Sequence, residues 1–288
     1  MATIQFGIAI SSWATPQTKQ LNGSNSQDNR GLMTLYEAVT DNYDEVSRTL
    51  ARVEREVNRA IRENRPNVAE SLTKVQMLLV SIKAEAALIR IISHPSGLPP
   101  KVRSEILDKK NNALERWQAA IDESFRFHYK VKRNRDLGQA LDHDVQAKRQ
   151  TLLNLVSSEL EPLITFRNKL AHGQWVKPLN SDLSKVEVSV LQGILSENSL
   201  SLKFHNNLIE QLTHALGDLI QSPNRFEAMF SKRFSKIREN RISLASADFA
   251  SWKSSVRQTH KSFPQLVQAY VRENGWKIID ENGDDVDL

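Results

Sequence analysis

At 288 residues, with 40% hydrophobic and 25% charged side chains, the chain has the composition of a soluble globular protein able to bury one large core or two small ones. It contains no cysteine, which excludes a disulfide framework, thiolate catalysis and any cysteine-ligated zinc site, and fits a reducing cytosol. The formal charge of +5 understates the body of the chain, because the terminal DENGDDVDL carries Asp280, Glu281, Asp284, Asp285 and Asp287 without a base; residues 1 to 279 alone stand at +10, a balance that favours polyanionic partners.

In chain order, TIQFGIAI reads as a short strand, and residues 11 to 31, rich in Ser, Thr, Gln, Asn and Gly, as a loop or mobile arm. Residues 1 to 30 are therefore set apart as an N-terminal arm. MATIQFGIAISSW has no basic start and makes a poor secretory signal. Tyr36, Val39, Tyr43, Val46, Leu50, Val53, Val57 and Ala60 then recur at spacings of three and four, the seam of a long amphipathic helix.

Pro66 interrupts that seam, and a second follows through Val68, Leu72, Val75, Leu79, Ile82, Ala86 and Ile89, so the two helices are expected to be antiparallel neighbours. This run, VQMLLVSIKAEAALIRII, is the most apolar in the chain, yet Lys83, Glu85 and Arg90 make it too charged to cross about 30 Å of hydrocarbon. The expectation is a cytoplasmic protein without membrane contact. HPSGLPP breaks the chain, and a third helix is expected from about Lys101 to Tyr129. A fourth begins after Gly138 and runs through Leu152, Leu160 and Leu163 to Leu170, with Pro162 kinking or restarting it.

After WVKPLNSD the period changes to two in KVEVSV and LSLKF, which reads as a small β-hairpin. Asn207 and Glu210 offer a cap for a following helix, and FEAMFSKRFSKIRENR and PQLVQAYVREN read as helices. The fold class is all-α: an antiparallel bundle of long heptad helices over residues 31 to 222 with a hairpin after the fourth helix, then C-terminal helices and an acidic tail over 223 to 288.

Residues 163 to 175, LITFRNKLAHGQW, pass from apolar helix to Arg167, Asn168, His172 and Gly173. Gly173 supplies a helix stop. At 100° per residue, Asn168 and His172 lie about 40° apart, Glu161 aligns with His172, and Arg167 swings in from the flank. An imidazole that titrates near neutrality serves as acid or base, and a guanidinium matches phosphate oxygens. The plainer reading is that Arg167 and His172 complement a helix C-terminus, where cations favour the dipole.

The spacing Arg-x4-His, with a polar residue after the arginine and a four-helix context, resembles the signature of HEPN ribonucleases, which include toxin and phage-defence members. The resemblance implies a helical bundle that dimerises, places two motifs at one cleft and cuts RNA without a metal or other cofactor. It assigns Arg167 and His172 as the catalytic pair and Asn168 as their polar helper; Glu161 is added on helical geometry alone. It further implies a toxin or antiviral effector restrained by an antitoxin or other regulatory protein. The variant with tyrosine two positions after the histidine is not matched, since Gln174 stands there. A noncatalytic helical scaffold that binds RNA or protein remains the competing reading.

RFHYKVKRNR, residues 126 to 135, sets Arg126, Lys130, Lys132, Arg133 and Arg135 among aromatic rings without an acid. Cations for phosphates and rings for bases suit single-stranded RNA, while a solvated helix end with inward rings explains the same residues. KRFSKIRENR, residues 232 to 241, reads as a solvated helical face. The DHD at 142 to 144 makes a poor metal site because consecutive helical residues diverge by about 100°. His94, His205, His214 and His260 lack companions in sequence and read as structural or surface residues.

Overall fold

The computed structural model describes residues 25–108, 112–258 and 273. The strand expected at TIQFGIAI, the acidic tail, His260 and most of PQLVQAYVREN lie outside them. The described chain is all-α. Helix α1 (Asn25–Arg62) begins inside the segment expected to be a loop, and turns through Glu63–Arg65 into α2 (Pro66–Ile92). Tyr36 meets His94, Tyr43 meets Arg90, and Gln76 donates to Glu54, so the chain doubles back along itself.

The single helix expected from Lys101 to Tyr129 is two, α3 (Pro100–Leu107) and α4 (Ala113–His128). Asn112 restarts the helix, its side chain accepting the backbone N–H of Leu114 at 3.1 Å. Next come a short α5 (Leu137–Ala140), α6 (His143–Leu155), a π-helical turn at Val156–Leu160, and α7 (Glu161–Ala171). Pro162 explains the π turn: it has no N–H to donate and its ring displaces the carbonyl four residues back, so the ladder widens for one turn and resumes.

The expected hairpin does not form. Val188–Ser196 is helix α8 and Ser199–Gln221 is helix α9; among the described residues, one isolated antiparallel bridge, Leu179 to Val186, stands in that region. KVEVSV alternates for only six residues, and Val190, Leu191 and Ile194 share a helical face with Ile194 buried. The start of α9 is set by a capping box at Asn198 and Ser201, not by Asn207, which instead donates to Asn240 at 3.3 Å.

Helix α10 (Pro223–Ala245) packs along α9 and sends Phe226 and Ile237 into the same core as Trp117, Phe125, Met77 and Leu163. Helix α11 (Phe249–Gln258) rests on α1. No described helix is long and apolar enough to cross a membrane.

Two contacts set the position of α7. From α2, the Ser81 hydroxyl donates to the Leu163 carbonyl at 2.8 Å. From the other side α8 approaches so closely that a Cβ on Gly193 would stand 2.5 Å from the Phe166 ring. In an open helix Gly→Ala stabilises by about 0.5–1 kcal/mol. Gly193→Ala should instead lower the unfolding midpoint, by about 1–3 kcal/mol of overpacking, and a raised midpoint in urea titration would refute this docking of α8.

Candidate functional site

Helix α7 ends in a Schellman motif. Gly173 has φ +77°, its N–H bonds to the Leu170 carbonyl at 3.1 Å, and the Gln174 N–H bonds to the Lys169 carbonyl at 3.0 Å. The stop read from Gly173 is thus borne out, and His172, the last residue before it, is exposed. Asn168, one turn back, is exposed beside it. Both line an open cleft of about 430 Å³, with Lys169, Asn180, Leu183 and Glu187 among its other walls. The cleft is roofed by the loop between α7 and α8, pinned where the Leu179 N–H donates to Gln174 at 2.7 Å and where Lys169 reaches the Leu179 carbonyl and Glu187.

Arg167 is not one of these walls. Five residues from His172, it projects about 140° away around the helix and bonds to Glu85 of α2, with 22% of its side chain exposed. Its Nε is buried without a hydrogen-bond partner. Within one chain, then, Asn168 and His172 are brought together, and Arg167 is turned to the neighbouring helix. Glu161 is exposed in the first turn of α7; it shares a face with His172 but lies about 16 Å up the axis at 1.5 Å per residue, and it does not line the cleft.

None of the five basic residues of 126 to 135 lines the cleft either. Arg126 folds back to donate to the carbonyls of Lys132 and Arg135, and Arg133 pairs with Glu105 and Glu123. Phe125 is fully buried, the Tyr129 hydroxyl donates to Glu227 at 2.7 Å, and His128 bonds to the Ile220 carbonyl at 3.1 Å. Burial, then that acidic partner, pushes the Tyr129 phenol well above its usual range. These rings serve the fold, leaving Phe127 with Lys130, Lys132 and Arg135 exposed. Along 232 to 241, Arg233 is likewise committed to Asp218 and Arg241 to Glu159. Asp142 flanks the start of α6 and Asp144 pairs with Lys148.

His205, without a companion in sequence, has three in space. Its Nδ1 stands 3.6 Å from Glu159 of the π turn and its Nε2 3.3 Å from Glu197 before α9, while Arg241 of α10 pairs with Glu159 at 2.6 Å. Four segments supply these groups, so no spacing rule reveals them. Among the described residues no group of three or more His, Asp or Glu side chains gathers as a metal site. No protein-family model matches the chain, and neither curated proteins nor solved structures give a match.

Burial opposes charge on His205, but the facing carboxylates outweigh it and push the imidazole from 6.5 up to about 9. A folded-state value above the unfolded one stabilises the fold fully below pH 6.5, and that contribution is lost as pH rises through about 9. The unfolding midpoint should therefore fall between pH 7 and 9.5 in the wild type and much less in His205→Gln. Equal pH profiles for the two proteins would refute the clamp.

Proposed function

We propose that this chain is a metal-independent endoribonuclease of the HEPN type, acting as a homodimer with two His172 residues at one cleft. The observation that carries the reading is the placement of Asn168 and His172, exposed together at the rim of an open cleft on a rigidly stopped helix. An imidazole engaged only in helix capping has no need of such a cleft.

In the reaction, one His172 takes the proton of a ribose 2′-hydroxyl, whose oxygen attacks the adjacent phosphorus. The 5′-oxygen then leaves with a proton from the partner's His172, which starts as imidazolium, and the products carry a 2′,3′-cyclic phosphate and a 5′-hydroxyl. Two imidazoles are needed because one cannot begin as both base and acid. Asn168 orients the pair, and Arg167 stabilises the charge growing on the phosphorane, exchanging Glu85 for the RNA phosphate.

The second copy is supported by large apolar side chains left exposed beside the cleft. Val176, Leu183 and Val188 are 59% to 73% exposed, and Leu183 walls the cleft itself. A polar cleft bordered by such residues suits a self-complementary twofold interface. Lys130, Lys132 and Arg135 serve as backbone contacts for RNA outside the cleft. A role as toxin or antiviral effector, with an antitoxin or other regulatory partner, extends the same reading.

The ion pair of Arg167 with Glu85 favours a second reading, a noncatalytic scaffold in which that arginine only ties α7 to α2. Two variants separate them. His172→Ala should abolish cleavage of RNA in EDTA by about 10²-fold or more and change stability by no more than about 0.5 kcal/mol, as an exposed substitution does. Arg167→Lys should keep the charge opposite Glu85 yet lose cleavage, because lysine lacks the fork. Adding His172→Ala subunits to wild type should depress activity through mixed dimers. Intact RNA under all conditions would leave the scaffold, and cutting of an all-deoxy strand would overturn the 2′-hydroxyl mechanism.

A further inference from the structure

A second polar cleft, of about 250 Å³, lies where α2, α9 and the start of α10 meet. Arg90, His94, His214, Asp218, Arg225 and Arg233 line it. Three guanidiniums thus face one carboxylate, which is an unusual surplus of positive charge for a concave site. Asp218 is buried, with 4% of its side chain exposed, and accepts from Arg225 Nε at 2.6 Å and Arg233 Nε at 3.2 Å. A single buried carboxylate holding two arginines through their Nε atoms fixes both forks without neutralising both.

The rest of the cleft adds donors, not acids. The Ser96 N–H donates to His94 Nδ1 at 3.3 Å, so a neutral His94 carries its proton on Nε2 and presents it as a donor. The His94 ring is held edge-on against Tyr36 with centroids 5.2 Å apart. Arg90 is steadied over the Tyr43 ring at 3.8 Å. Gln221 and Arg225, both in the wall, straddle the first turn of α10, a 23-residue helix whose N-terminal end carries partial positive charge. Gly217 leaves the floor open, since it brings no side chain into the space.

We infer that this cleft binds a phosphate group, held between the Arg90, Arg225 and Arg233 guanidiniums at the N-terminal end of α10. Its volume suits a phosphate or diphosphate, with a nucleoside or strand extending outward. The group comes either from a free nucleotide or from the 5′ end of an RNA. The inference rests on the cleft's own charge and does not depend on the ribonuclease reading, because none of its residues belongs to the His172 cleft.

The test is calorimetric titration of the full chain with pyrophosphate, AMP, and one short oligoribonucleotide bearing either a 5′-phosphate or a 5′-hydroxyl. Saturable binding is expected, weakened about tenfold by Arg225→Gln, the loss of one charge-assisted contact. Arg225 is exposed, and its removal leaves Asp218 paired with Arg233, so the fold survives. Gly217→Glu places a carboxylate on the floor, where a Cβ meets only Ile91 at 3.6 Å, and should abolish binding. Binding of pyrophosphate and AMP assigns the site to free nucleotides. A preference for the 5′-phosphorylated over the 5′-hydroxyl strand, with neither small ligand bound, assigns it to RNA ends; either upholds the site. No saturable binding of any probe, or binding that both variants leave unchanged, overturns it.

Discussion

Burying Gln76, Ser81 and Lys83 within α2 forces the surrounding helices to supply partners, and the arrangement of the molecule follows from those demands. A polar group removed from water without a hydrogen bond costs more than most single contacts return. Ser81 therefore takes the Leu163 carbonyl of α7, Lys83 takes Asn206 and Glu210 of α9, and Gln76 reaches Glu54 of α1 and the Ser199 carbonyl at the start of α9. Each bond has one direction and one register. The apolar contacts around them, from Met77 through Leu88 to Ile92, provide stability that many packings would share, whereas the polar contacts select which packing forms.

The same helix braces α7 and lines the second cleft. Glu85 leaves α2 toward Arg167 on α7, and Arg90, five residues on, leaves it toward α9 and α10. Five residues turn a helix by about 140°, so α2 meets Arg167 of α7 on one side and lines the second cleft on another. Helix α7, for its part, is delimited by two backbone devices, the π turn ahead of Pro162 and the left-handed Gly173. Between them lie eleven residues of regular helix, long enough to expose Asn168 and His172 as a pair and short enough to place them next to the loop that closes over Lys169.

The two long helices were legible in the sequence, and so was the helix stop, but the seam expected along α2 is not its buried face: Val68 and Ile82 are exposed, and Met77, Val80, Ala84, Leu88 and Ile92 are buried instead. The pattern from Tyr36 to Ala60 and from Val68 to Ile89 lies within α1 and α2, and a glycine with φ +77° stands where the glycine after His172 indicated. What failed was short-range alternation: KVEVSV and LSLKF have strand-like composition, but that preference yields to packing, and the close seat of Gly193 on Phe166 together with the Asn198 cap makes LSLKF and the second half of KVEVSV helical. The swing of Arg167 toward His172 that the sequence suggested is not what the chain adopts, since the arginine pairs with Glu85 of α2 instead. Helical angle places the arginine on the flank, and only the position of Glu85, eighty-two residues away, decides which way it turns. His205 failed for a related reason, since its two carboxylates and the supporting Arg241 come from separate segments.

Charge shows most clearly why counting residues misleads. The two basic stretches, one read as an RNA contact and the other as a solvated face, carry similar charge, yet most of their arginines already hold a partner: Arg126 the carbonyls of Lys132 and Arg135, Arg133 two glutamates, Arg233 Asp218 and Arg241 Glu159. Such a guanidinium offers an incoming phosphate only what remains after its own acid is weakened or shared. Exposed lysines offer a full charge but in high dielectric, where salt screens it. A concave site that gathers three arginines around one buried carboxylate limits both losses: Arg225 and Arg233 share Asp218, and Arg90 is held over the Tyr43 ring. The surplus of basic residues in the sequence is thus converted into anion affinity by geometry: where a carboxylate matches each cation the charge is spent on the fold, and where it does not the charge remains for a ligand.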